Sequence, residues 1–187
     1  MRIVAGRHRG KALAAPNGQD IRPTSDRVRE SLFNILAHGI GAEIAGARVL
    51  DLFAGTGALG LEAMSRGAAF ALFVEESAEA RGLIRRNAEA LGLMGATKIF
   101  RRDATNLGDS GAMAPFGLVF ADPPYGKGLA ERALASAAAG GWLAPGAVAV
   151  VEESGEAEFP PPAGFTLLDS RAYGGTAIYF LRGPGPA

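Results

Sequence analysis

The segment Asp51-Leu52-Phe53-Ala54-Gly55-Thr56-Gly57-Ala58-Leu59-Gly60 carries a G-x-G-x-x-G pattern between an apolar run and a helical pattern. Glycines at such a turn let backbone approach a ligand closely and tighten the entry into the helix. The pattern alone also fits a plain structural turn, and Asp51 sharpens it. A carboxylate four residues before Gly55 repels a pyrophosphate and attracts a cationic amino acid. The next apolar run ends at Glu75, 24 residues beyond Asp51, where an acidic side chain can accept both hydroxyls of a ribose. A third run leads to Asp103, placed to accept a hydrogen bond from an adenine amino group. Carboxylates at successive strand ends line the crevice where open α/β sheets bind ligands. An adenosine with a positively charged amino-acid tail matches that set, and S-adenosylmethionine is such a molecule.

The fourth run ends in Asp122-Pro123-Pro124-Tyr125, the most specific signal in the chain. Two prolines stiffen the loop, so the Asp122 carboxylate and the Pro123 carbonyl can converge on one point. Both are acceptors, and an exocyclic amine offers two N–H donors. Tyr125 can stack on the base that bears the amine. Such an amine is a poor nucleophile because its lone pair is delocalised into the ring. Two acceptors favour a pyramidal nitrogen and stabilise the charge that develops on transfer. A surface proline turn is the alternative reading.

These residues require elements to hold them. Arg48–Phe53, Phe70–Glu75, Thr97–Phe100, Gly117–Ala121 and Ala147–Glu152 read as short apolar strands. Helical patterns at Gly57–Arg66, Ser77–Leu91 and Leu129–Ala139 alternate with them. The alternation predicts a parallel sheet covered on both faces. Phe165–Tyr173 and Thr176–Leu181 flank Gly174-Gly175 and predict a closing antiparallel hairpin. Ahead of the sheet, Arg2–Ala5 and Lys11–Ala14 suggest a small hairpin. Thr24 or Ser25 can then cap a helix carrying Val28, Leu32, Ile35 and Leu36 on one face and closing near Gly39. The expected layout is an N-terminal extension over 1–40, an α/β domain over 41–183 and a frayed tail from Gly183 that leaves 184–187 outside the domain. Trp142 reads as core.

With 187 residues, 48% of them hydrophobic and 20% charged, the chain is an ordinary globular domain rather than a disordered segment. Cysteine is absent, which excludes disulfides and thiolate metal sites, and two histidines make a histidine-rich metal centre an unexpected feature. No metal is therefore expected. The first residues lack the apolar run of a signal peptide, and no stretch of 18 apolar residues escapes interruption by charge. A cytoplasmic, membrane-free monomer is the expectation. Net charge is zero, which by itself speaks against a nucleic-acid partner. Yet the first 30 residues hold seven Arg or Lys against three Asp or Glu, a net +4 that leaves −4 for the remainder. Neutrality hides a basic arm on an acidic body.

Asp51–Gly57, Glu75, Asp103 and Asp122-Pro123-Pro124-Tyr125 together resemble the ordered motifs of amino-directed, S-adenosylmethionine-dependent methyltransferases of the Rossmann-like class I fold. More narrowly, Arg2-Ile3-Val4-Ala5-Gly6-Arg7-His8-Arg9-Gly10-Lys11 and Ile21–Asn34 are similar to the bacterial 16S ribosomal RNA guanine-N2 methyltransferase family. The likeness runs from Arg2 to about Leu181. It implies methylation of the 2-amino group of guanine 966 in 16S rRNA, free or within a small-subunit assembly particle. It implies that Asp51, Ala54, Gly55, Gly57, Glu75, Asp103 and Ala104 hold the cofactor and that the segment from Thr24 to Arg27 closes over its methionine end. Asp122, Pro123 and Tyr125 would serve the flipped guanine. Arg7, Arg9, Lys11 and Arg22 would meet RNA phosphates, although an arginine-rich hairpin is also compatible with a solvated surface. His8 reads as a further phosphate or packing contact. Two rivals remain at this level: an adenine-N6 methyltransferase of DNA or RNA, and an NAD-dependent oxidoreductase suggested by the glycine pattern alone.

Overall fold

A computed structural model describes residues 1–17 and 24–186. Seven strands, β1 (Arg48–Leu52), β2 (Phe70–Val74), β3 (Thr97–Phe100), β4 (Phe116–Ala121), β5 (Leu143–Ser154), β6 (Thr166–Tyr173) and β7 (Thr176–Arg182), form one sheet in the order β3-β2-β1-β4-β5-β7-β6. The first five are mutually parallel, and β7 runs antiparallel between β5 and β6. The chain steps outward from β1 through β2 to β3, then returns to β4 on the other side of β1. That reversal opens a crevice beyond the carboxyl ends of β1 and β4, where ligands of such sheets bind.

The apolar strands alternate between two cores. Val49, Phe73, Leu118, Phe120, Val150 and Phe180 face one cluster, while Leu50, Leu72, Val74, Val119, Val151 and Leu181 face the other. A strand buried on both sides needs no polar face, which is why these runs read as unbroken hydrophobics. Helices α1 (Asp26–Asn34), α2 (Ala58–Ser65) and α3 (Ala78–Ala90) contribute to the first cluster, and α4 (Leu129–Ala139) to the second through Ala130, Ala133, Leu134 and Ala137. Trp142 packs in the second core beside Phe100 and Phe116, its indole N–H donated to the Gly108 carbonyl at 2.8 Å. No helix among the described residues is long and apolar enough to cross a membrane.

One open choice closes and three local expectations change. Ser25, not Thr24, caps α1, accepting the Val28 N–H at 3.2 Å. That helix passes into a wider π turn over Ile35–Ile40 before ending at Gly41. The N-terminal hairpin reduces to a single bridge, Arg2 with Ala12. The N–H groups of Val4 and Ala5 turn instead to the Glu62 carboxylate of α2, at 2.9 and 3.0 Å. Gly183 and Pro184 are not frayed: Gly183 donates to Ala147 at 2.7 Å, and Pro184 accepts from Gly146 at 2.8 Å.

Candidate active site

The crevice is a cleft of about 800 Å³. Thr24, Asp51, Ala54, Gly55, Glu75, Asp103, Asp122, Pro123 and Tyr125 all line it, so residues 101 positions apart in sequence meet around one space. Gly57 and Ala104 do not line it. Gly57 sits in the left-handed region, φ +80°, as the N-cap of α2, and Ala104 is buried in the second core. Arg7, Arg9 and Lys11 are exposed on the arm, away from the cleft lining, and Arg22 lies outside the described residues.

The glycine turn is built by Asp51 and Glu75. Asp51, 1% exposed, accepts the Gly60 N–H at 3.0 Å, while Glu75 accepts from the N–H groups of Gly55 at 2.8 Å and Ser77 at 3.0 Å. Gly60 is glycine for lack of room: a Cβ there would lie 2.5 Å from the Phe73 ring. The residue linking β1 to the turn, Phe53, adopts φ +55°, a left-handed conformation that a bulky side chain seldom takes and that tends to collect at functional sites. Asp103 caps a short 3₁₀ turn, its Oδ1 accepting both the N–H and hydroxyl of Thr105 at 2.8 and 2.7 Å.

The electrostatics are one-sided. Among the described residues the lining carries six carboxylates, Asp51, Glu75, Glu76, Glu79, Asp103 and Asp122, against the single guanidinium of Arg132. Burial pushes the Asp51 carboxyl well above the ordinary range, and the neighbouring Glu75 charge adds to the shift. Asp122 is raised likewise, by burial first and then by Glu152 and Asp51. Asp122 opens onto the cleft at one side, yet burial of its carboxylate is the larger cause and the neighbouring acids add to it. Asp103 moves the other way, lowered by its bonds to Thr105. Such a cleft suits a cation and disfavours a pyrophosphate, against the NAD reading of the glycine pattern.

Around Asp122 the structure adds groups the sequence reading missed. Tyr125 donates its hydroxyl to Glu152 Oε1 at 2.6 Å and lies 3.1 Å from Thr176 Oγ1. The Gly126 N–H binds Glu153 at 2.9 Å. Thr24 donates to Glu152 Oε2 at 2.7 Å and approaches Asp122 Oδ2 at 3.5 Å. The signal was present in the sequence: two adjacent glutamates stand near the carboxyl end of an apolar run, just as Glu75 directly follows β2. On the arm, burial lowers the proton affinity of His8, and the nearby Arg7 and Lys11 charges lower it further.

A family profile described as Conserved hypothetical protein 95 matches residues 1–182. Ribosomal RNA small subunit methyltransferase D of Escherichia coli (strain K12) is 38% identical over 178 residues, covering 95% of this chain and 87% of the relative. The protein of the same name from Haemophilus influenzae is 35% identical over 176 residues, covering 93% and 89%. Among solved structures, the candidate methyltransferase yhhF from Escherichia coli superposes with a TM-score of 0.84 at 34% identity, over 100% of this chain and 99% of that one.

Proposed function

The chain belongs to the family described as Conserved hypothetical protein 95, and from that premise we propose that it methylates the RNA of the small ribosomal subunit. The methyl donor is S-adenosylmethionine and the acceptor the exocyclic N2 amine of a guanine, guanine 966 of 16S rRNA. The observation that carries this reading is the convergence of Asp122, Tyr125 and five further carboxylates on one cleft at the strand reversal. The relatives named for small-subunit rRNA methylation share nearly the full length of the chain.

The donor set fits the cofactor. S-adenosylmethionine, when bound, supplies a methyl group made electrophilic by its sulfonium charge. Its cationic sulfonium and ammonium suit the acid-rich lining, and Glu75 and Asp103 each keep acceptor capacity for ribose and adenine donors. The Gly55 turn lets backbone approach closely, and Thr24 stands at the cleft as part of the N-terminal cover. Asp122 and the Pro123 carbonyl accept the two N–H bonds of the guanine amine, which stays aligned while its lone pair attacks. Asp122 takes the proton the amine loses, and its raised proton affinity suits it to that step. Tyr125 stacks on the base. Most of the acceleration comes from alignment of nucleophile and methyl. Residues 1–40 act as the RNA-binding extension and 41–183 as the transferase domain.

The test incubates the chain with methyl-labelled S-adenosylmethionine and 16S rRNA, naked or in assembly particles, and maps the labelled nucleotide by mass. Label at a guanine N2 is expected, and Asp122→Ala should abolish it while cofactor affinity by calorimetry stays nearly intact. Label confined to adenine N6, or an Asp122→Ala chain that remains active, overturns the assignment.

A further inference from the structure

Glu152 stands outside the steps described above, although it lies beside them. It is 8% exposed near the carboxyl end of β5, next to Asp122 because Val151 pairs with Ala121. Burying a carboxylate there opposes folding unless its oxygens are satisfied. Neither oxygen meets a cation among the described residues; each is instead met by a hydroxyl. Those hydroxyls come from segments far apart in sequence: Thr24 ahead of α1 and Tyr125 on the loop after β4.

A hydroxyl has one proton to donate. Thr24 directs its proton to Glu152 at 2.7 Å, which leaves its 3.5 Å approach to Asp122 at the limit of a hydrogen bond. Tyr125 likewise directs its proton to Glu152 at 2.6 Å. The buried acid therefore draws the Thr24 proton away from the Asp122 oxygen that a substrate amine must reach. It also fixes the phenol end of the ring offered to the base.

On the methyl-transfer reading above, we propose that Glu152 is a positioning residue: it holds the Thr24 and Tyr125 hydroxyls and so keeps Asp122 free to accept the substrate amine. Loss of Glu152 leaves Asp122 as the nearest alternative acceptor for Thr24, and the substrate amine then competes with a hydroxyl of the enzyme itself.

The experiment measures kcat and KM for both substrates in wild type, Glu152→Ala, Glu152→Gln, Thr24→Val, and each Glu152 variant combined with Thr24→Val, with thermal unfolding as the check on folding. Glu152→Ala should lower kcat by roughly 10–100-fold with the KM for S-adenosylmethionine changed less than about twofold, the size expected of lost alignment. Glu152→Gln should lose less, because an amide accepts from one hydroxyl and donates to the other. Adding Thr24→Val should raise kcat in either Glu152 background, because no hydroxyl is left to occupy Asp122. If Glu152→Ala does not fold, the glutamine series decides alone. Unchanged kcat in a folded Glu152 variant, a loss confined to cofactor KM, or no recovery on adding Thr24→Val overturns the role of Glu152. A wild-type chain that transfers no methyl to rRNA overturns the underlying reading instead, and this role with it.

Discussion

The Arg29 guanidinium and the Glu62 carboxylate lie 3.5 Å apart, both wholly withdrawn from solvent. Glu62 also receives the N–H groups of Val4 and Ala5 and the Nε of Arg66 at 3.0 Å, so one side chain ties α1 and the N-terminal arm to α2. Arg29 in turn donates to Asp26 at 2.9 Å and to the Arg2 carbonyl. Glu62→Ala would remove the buried one of the two carboxylates that face Arg29 and would strand two backbone donors. The expected loss is about 3–5 kcal/mol, a fall in Tm on the order of 10 °C for a domain of this size, read by calorimetry. A loss below about 1 kcal/mol would mean that the arm is held by its apolar contacts alone.

Gly60 and Phe73 set a second expectation. Alanine is the better helix former by about 1 kcal/mol, so Gly60→Ala on α2 would stabilise an open site. Here its Cβ meets the Phe73 ring at 2.5 Å and Asp51 Oδ2 at 3.1 Å, and overpacking of this kind costs roughly 1–3 kcal/mol. The clash wins, and because Gly60 also donates to Asp51, cofactor affinity falls with stability. Urea unfolding and calorimetry with S-adenosylmethionine read the two effects. A stabilised variant with full affinity would refute the packing role.

The alternation of strand and helix, the positions of Asp51, Glu75, Asp103 and Asp122, and the closing hairpin were legible because each follows from local pattern and spacing. What escaped depends on contacts between distant segments. Glu152 looked like the last residue of an apolar strand, and only the pairing of β5 with β4 brings it beside Asp122. The arm showed hairpin periodicity, and Ile3 does donate to Lys11 and Leu13 to Met1, but Glu62 of α2 takes the N–H groups of Val4 and Ala5 and Ser65 that of His8, so the pairing stops at one bridge. Thr24 and Ser25 are equivalent caps in sequence, and Glu152 decides between them by engaging Thr24.

Asp122 carries a stability cost that pH reveals. Its carboxyl is raised in the folded chain by burial and by the Glu152 and Asp51 charges, above the ordinary 3.8. The native state therefore keeps a proton that the unfolded chain has lost, and stability falls as pH rises from about 4 through the folded value. Asp122→Asn removes that cost. Its Tm should exceed wild type by a few degrees at neutral pH, as a gain of about 1 kcal/mol gives, with the gap closing below about pH 4 where both carboxyls are protonated. A gap that persists unchanged at low pH would assign the effect to packing instead.

The arm offers the charge test of RNA binding. Arg7, Arg9 and Lys11 are exposed on a turn fixed against α2: Arg7 donates its N–H to the Ser65 carbonyl at 2.8 Å and His8 to the Ser65 hydroxyl at 3.0 Å. Gly6, at φ +84°, leaves no room for a side chain, since a Cβ would fall 2.0 Å from that carbonyl oxygen. The cations are thus presented on a rigid support. Replacing each with glutamine should weaken binding to 16S rRNA and lower the salt-dependence slope, log K against log salt, by about 0.7–1 per charge removed. Folding should be nearly unaffected, because these are surface side chains. Gly6→Ala keeps every charge but displaces the turn, so it should reduce affinity with a smaller change in slope. A triple glutamine variant with the wild-type slope would move the RNA contact to another face of the molecule.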